Sequence, residues 1–139
     1  MDRRQHLSEI AREHGILVVY AFGSRAADAT RILNGEPVAG GGSDLDLAIL
    51  LRTSPANPML GFGGMYADFG ELFDPLKVDL VFLHEVDPFI QEAAIRGVEL
   101  ICTDESRRDL FELDALRRAG DLLPIQRRLE IELFGTTNR

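Results

Sequence analysis

Ile16-Leu17-Val18-Val19-Tyr20-Ala21-Phe22-Gly23-Ser24 decides how the rest of the chain is read. The run from Ile16 to Phe22 is β-branched and aromatic, with no polar alternation. That pattern predicts a strand covered on both faces. Gly23-Ser24 then breaks the strand. Glycine lets a backbone approach another group closely. Ser24 offers a hydroxyl and opens a helix over Ala26, Ala27 and Ala29 towards Leu33, for which it is the expected cap. A strand, a small turn and the N-terminus of a helix suit an anion, and Arg25 adds a charged donor. An ordinary capped turn has the same residues, so the turn alone decides little.

Two further stretches give it meaning. Asp44-Leu45-Asp46 opens a second apolar run, Asp44 to Leu51. Side chains two apart on a strand share a face. Asp44, Asp46, Ala48 and Leu50 therefore form one face, and Leu45, Leu47, Ile49 and Leu51 the core face. Lys77 to Leu83 predicts a third strand, with Asp79 flanked by apolar residues on both sides. Aspartate is disfavoured inside a strand. Adjacent carboxylates repel one another unless a cation or a proton intervenes. Mg²⁺ takes such oxygen ligands together with water and substrate phosphates. If the strands are neighbours, Asp79 joins the pair, where it could bind metal and accept a proton from an attacking hydroxyl.

The remaining pattern alternates helices and strands. Helices are expected over Arg3–His14, Gly61–Phe73, Pro88–Arg96 and Asp104–Phe134, and a short strand over Val98–Cys102. The last helix has Leu110, Leu113, Leu116, Leu122, Ile125, Leu129 and Leu133 as its expected apolar side, and Pro124 should kink it. Asn34-Gly35-Glu36-Pro37, Gly40-Gly41-Gly42-Ser43 and Thr53–Pro58 read as loops. The class is α/β (α+β), a mixed sheet of about four strands flanked by helices. Residues 1–134 are expected to form one domain and 135–139 a flexible tail. A chain of 139 residues suits one core.

Composition excludes several roles. The formal net charge is −8, which opposes free-standing binding to a phosphate backbone, so no direct nucleic-acid binding is expected. It permits ATP beside a cation, and docking on a basic protein. No stretch approaches the roughly 20 apolar residues of a membrane span. Cys102 is the single cysteine and cannot form an internal disulfide, so a cytoplasmic location is expected. It reads as a small buried hydrophobe. His6, His14 and His84 lack metal-ligand spacing, and the glycine stretches lack the Gly-Lys-Ser/Thr ending of a P-loop. The arginine pairs at 107–108, 117–118 and 127–128 are interleaved with acids and read as a solvated, salt-bridged face.

Ala21-Phe22-Gly23-Ser24-Arg25-Ala26, Ser43-Asp44-Leu45-Asp46-Leu47 and Val78-Asp79-Leu80-Val81 together resemble the DNA polymerase β-like nucleotidyltransferase superfamily. Within it, the minimal nucleotidyltransferases, and among those the MntA-like antitoxins, are the most similar. Gly97-Val98-Glu99-Leu100-Ile101 resembles that family's short fourth strand, and Asp121-Leu122-Leu123-Pro124 its tail. The resemblance implies transfer of a nucleoside monophosphate from ATP, dependent on one or two Mg²⁺ ions. It matches Gly23 and Ser24 to the triphosphate-binding turn, Asp44 and Asp46 to the metal ligands, and Asp79 to the third carboxylate. It also implies a HEPN-domain toxin of HepT type as partner, neutralised as in a type VII toxin–antitoxin pair by binding and by AMP added to a tyrosine. An oligomer, homo- or heteromeric, fits such a role.

The chain departs from the pattern once. Twenty positions separate Ser24 from Asp44, a longer gap than the family's usual one. The additional residues, around Asp28 to Gly42, could lengthen the helix after Ser24 and add a glycine-rich loop. Such a loop could act as a lid, alter acceptor choice or do nothing. Two other functions fit the residues: a non-catalytic module that neutralises its partner by complex formation, and transfer to a small molecule. The second is disfavoured because no acceptor-binding domain is present.

Overall fold

A computed structural model describes residues 1–53 and 61–121. The expected kink at Pro124, the tail at 135–139 and most of the Thr53–Pro58 loop lie outside the described residues. Helix α1 (Arg3–His14) starts at Asp2, whose carboxylate accepts the Gln5 amide at 2.8 Å. The Gln5 side chain returns to the Asp2 amide at 3.0 Å, so two amides that the helix cannot pair internally are satisfied reciprocally. Gly15 ends it at φ 64, a left-handed conformation glycine adopts without steric cost.

The strands are β1 (Ile16–Phe22), β2 (Leu45–Leu51), β3 (Val78–Phe82) and β4 (Val98–Cys102), in sheet order β3-β2-β1-β4. β1 is antiparallel to β2 and β4, and β2 is parallel to β3. The sheet is thus mixed, with β1 and β2 buried on both faces. Val19 and Ala21 point into one core with Leu45, Leu47 and Ile49. Val18 and Tyr20 point into the other with Ala48 and Leu50. The period of two explains why β1 reads as a continuous apolar run.

Helices α1, α2 (Ala26–Leu33) and α3 (Phe62–Leu72) cover the first face through Leu7, Ile10, Ile32, Phe69 and Leu72. Helix α4 (Pro88–Ile95) and, beyond β4, α5 (Glu105–Asp121) cover the second through Ala94 and Phe111. The Tyr20 hydroxyl reaches across that second core and donates to Glu112 at 2.5 Å. Burial and Glu112 together push the Tyr20 pKa far up, so the phenol stays a donor.

Two expectations are corrected. On α5 the leucines do not form the buried side. Leu110 and Leu113 are 68% and 54% exposed, and Leu116 is also exposed, whereas Ala115 and Ala119 are fully buried. Small residues at i and i+4 let the helix approach its neighbours closely. Helix α2 runs to Leu33 as expected and takes in the first of the additional residues, and positions 34–42 form the loop. Ser24 does not cap that helix. Arg25 holds the cap position and makes no side-chain cap bond, which leaves the Ser24 hydroxyl to Ser43.

Candidate active site

Strand register brings the candidate residues together. Phe22 lies opposite Asp46, and Asp46 opposite Asp79. One row across β1, β2 and β3 therefore carries the last residue before the Gly-Ser turn and two of the three carboxylates. Asp44 is exposed just before β2, not within it. Asp46 sits half-buried on the face of Ala48 and Leu50, as the alternation of β2 requires. Asp79 is exposed on β3, at the edge of the sheet.

Gly23 meets the Asp46 carboxylate directly. It adopts φ 78, and a Cβ there would fall 2.6 Å from Asp46 Oδ2. Only glycine fits both the backbone angle and the gap. The Ser24 and Ser43 hydroxyls are 2.9 Å apart, which ties the turn to the residue before Asp44.

Arg25 is committed elsewhere than a phosphate. Its Nε donates to Asp28 at 2.7 Å. Nη1 donates to the carbonyls of Gly41 at 2.7 Å and Ser43 at 3.3 Å, and Nη2 to that of Ala39 at 2.8 Å. The expected phosphate donor is here a pin that holds the inserted loop. Asp28 also accepts from Arg31 at 2.7 Å, and the two arginines hold its pKa below the usual carboxylate value.

Electrostatics at the aspartates run the other way. Burial first, then the charges of Asp79 and Asp44, push the Asp46 pKa up. Among the described residues none of these three aspartates forms an ion pair with a side-chain cation. An all-oxygen donor set with mutual repulsion fits a hard divalent cation such as Mg²⁺.

Sequence reasoning missed Tyr66. From α3, its hydroxyl donates to Asp79 Oδ1 at 3.1 Å and accepts the Leu80 amide at 2.9 Å. Burial raises the Tyr66 pKa, and Asp79 and Asp44 add to the rise against the Leu80 amide. No sequence signal marks it, because Tyr66 reads as one more apolar residue of a helix. His14 meets a partner that lies far from it in sequence. It has no ligand at helical spacing, yet Glu13, His14 and Asp68 place ligand atoms within 4.8 Å of one another. That group lies on α1 and α3, not on the strands of the aspartates. His84 is exposed at the end of β3, with Nε2 3.2 Å from the Leu51 carbonyl.

Residues 5–106 match the family described as Polymerase beta, Nucleotidyltransferase. The chain belongs to that family. The match spans all three strands of the row and the Gly-Ser turn. The fold of this nucleotidyltransferase recurs in solved structures. A mutant MntA–HpeT toxin–antitoxin structure shares 16% identity at a TM-score of 0.63, over 95% of this chain and 98% of that one. A toxin–antitoxin structure with AMP-PNP shares 16% at 0.62, over 95% and 98%. A tri-AMPylated Shewanella oneidensis HEPN toxin in complex with an MNT antitoxin shares 15% at 0.60, over 96% and 97%. At such identity the likeness shows the fold alone. No curated protein sequence matches the chain. Among the described residues no helix is long and apolar enough to cross a membrane.

Proposed function

We propose that this nucleotidyltransferase moves AMP from ATP to a tyrosine hydroxyl of a cognate HEPN-type ribonuclease toxin and so acts as the toxin's antitoxin in the cytoplasm. One observation carries the reading: Asp46 lies in register with Asp79 and two positions from Asp44, beside a glycine-serine turn, and among the described residues no cationic side chain pairs with any of the three. Elsewhere carboxylates are paired with arginines, as at Asp28 and Glu99. The structures of similar fold add support, since one contains an AMPylated HEPN toxin and another AMP-PNP.

Asp44 and Asp46 would hold Mg²⁺, which when bound neutralises phosphate charge and aligns the α-phosphate. Gly23 lets a phosphate oxygen approach the backbone without a clashing side chain. Ser24 turns its hydroxyl from Ser43 to the triphosphate. Asp79 accepts the proton of the incoming hydroxyl. The acceptor oxygen bonds to the α-phosphorus, the bond from that phosphorus to the bridging oxygen breaks, and pyrophosphate leaves.

The test uses ATP labelled at the α-phosphate, Mg²⁺ and, as acceptor, the product of the adjacent gene, which the reading expects to be a HEPN-type ribonuclease. Label on a tyrosine of that protein, lost in Asp44→Asn/Asp46→Asn, is the expected result. No label on the partner from folded enzyme would refute the transfer. If the double variant still neutralises the toxin at normal dose, complex formation alone is the function.

A further inference from the structure

Strand β3 is an edge, and alternate amides of an edge strand face away from its neighbour and need another acceptor. For Leu80 that acceptor is the Tyr66 hydroxyl, at 2.9 Å. Having accepted one bond, the phenol donates its single proton to Asp79 Oδ1 at 3.1 Å. The same group thus fixes the backbone of the residue after Asp79 and one oxygen of Asp79 itself. Its ring is fixed in turn. Phe62 lies 4.9 Å from the Tyr66 ring and 5.3 Å from that of Phe82 on β3, so helix and strand share an aromatic cluster. Two packed torsions separate Tyr66 from α3, and little freedom remains at its hydroxyl.

Asp79 needs such a tie. It is exposed, sits on an edge strand and lies in register with Asp46, whose charge repels it. A carboxylate so placed would swing towards water. Among the described residues the Tyr66 bond is the only hydrogen bond to its side chain, and it leaves Oδ2 free.

We propose that Tyr66 is a positioning residue of the transfer reaction: through Oδ1 it sets the Asp79 rotamer and presents Oδ2 to the acceptor hydroxyl. The assignment rests on the function proposed above. Tyr66 touches no reacting atom and acts through Asp79.

Tyr66→Phe keeps the ring and removes the hydroxyl. Transfer from labelled ATP with Mg²⁺ to the acceptor protein of the test above should lose about tenfold in kcat with KM for ATP unchanged, the size expected for an outer hydrogen-bond partner. Because Tyr66 acts through Asp79, Tyr66→Phe should cost nothing further in an Asp79→Asn background. An unchanged kcat in Tyr66→Phe, or the full loss repeated in the Asp79→Asn background, overturns the assignment while the transfer reading stands. A wild-type chain that labels nothing overturns the transfer reading instead. The tie itself is then read from amide hydrogen exchange at Leu80, which quickens in Tyr66→Phe if the hydroxyl holds that amide and stays unchanged if it does not.

Discussion

Asp28 and Asp46 stand on either side of the inserted loop, and the chain treats them oppositely. Asp28 receives two arginines, Arg25 and Arg31, each at 2.7 Å. Asp46 receives two more carboxylates as neighbours and, among the described residues, no cation. The chain therefore has arginine within reach of this region and spends it on the loop. A charge left unbalanced where balance lay close by marks a place kept for something that arrives from outside.

The widest split between the two should appear in turnover. Asp46→Asn should lower AMP transfer on the order of 10²–10³-fold, because it removes a carboxylate that would hold the cation offsetting charge on the reacting phosphate. Asp28→Asn should stay within roughly tenfold, since it loosens two surface ion pairs. Rates from α-labelled ATP decide it, and equal losses would erase the contrast. Gly23→Ala comes next. Its Cβ would collide with Asp46 Oδ2 at a φ of 78. We expect transfer to fall about 10²-fold and the fold to lose about 1–3 kcal/mol, read by denaturant unfolding.

The smallest effect is the sharpest in sign. In EDTA near neutral pH, Asp46→Asn should raise Tm by about 1–3 °C by removing repulsion. Asp28→Asn should lower it. The pH dependence follows. The raised pKa of Asp46 means that its charge costs stability above the folded value, and that stability returns as pH falls through it. The lowered pKa of Asp28 means that its contribution is present above the unfolded value near pH ~4 and disappears as pH falls through the folded one. Asp46→Asn should thus flatten the Tm profile just above the usual carboxylate range, and Asp28→Asn below it.

Strand identity was legible because β1 and β2 carry unbroken apolar runs with sharp ends at Gly23 and Asp44. The placement of Asp46 on the Ala48–Leu50 face followed from a period of two. Other features depend on distant contacts. Nothing local reveals that Arg25 would reach carbonyls 14 and 16 positions away, or that Tyr66 would meet Asp79 across 13 positions. The α5 error had a different cause. Leucine outweighs alanine in any apolar count, yet close helix packing at this face selects the alanines.

The row from Phe22 through Asp46 to Asp79 has one more consequence. Its members come from three strands joined by an antiparallel and a parallel pairing, and they are neighbours only once both pairings exist. The unfolded chain has no such row. A divalent cation held there would bind the native state alone, and mass action would then draw the folding equilibrium towards it. Magnesium concentration would become a control on how much of this chain is folded, as well as on how fast it works.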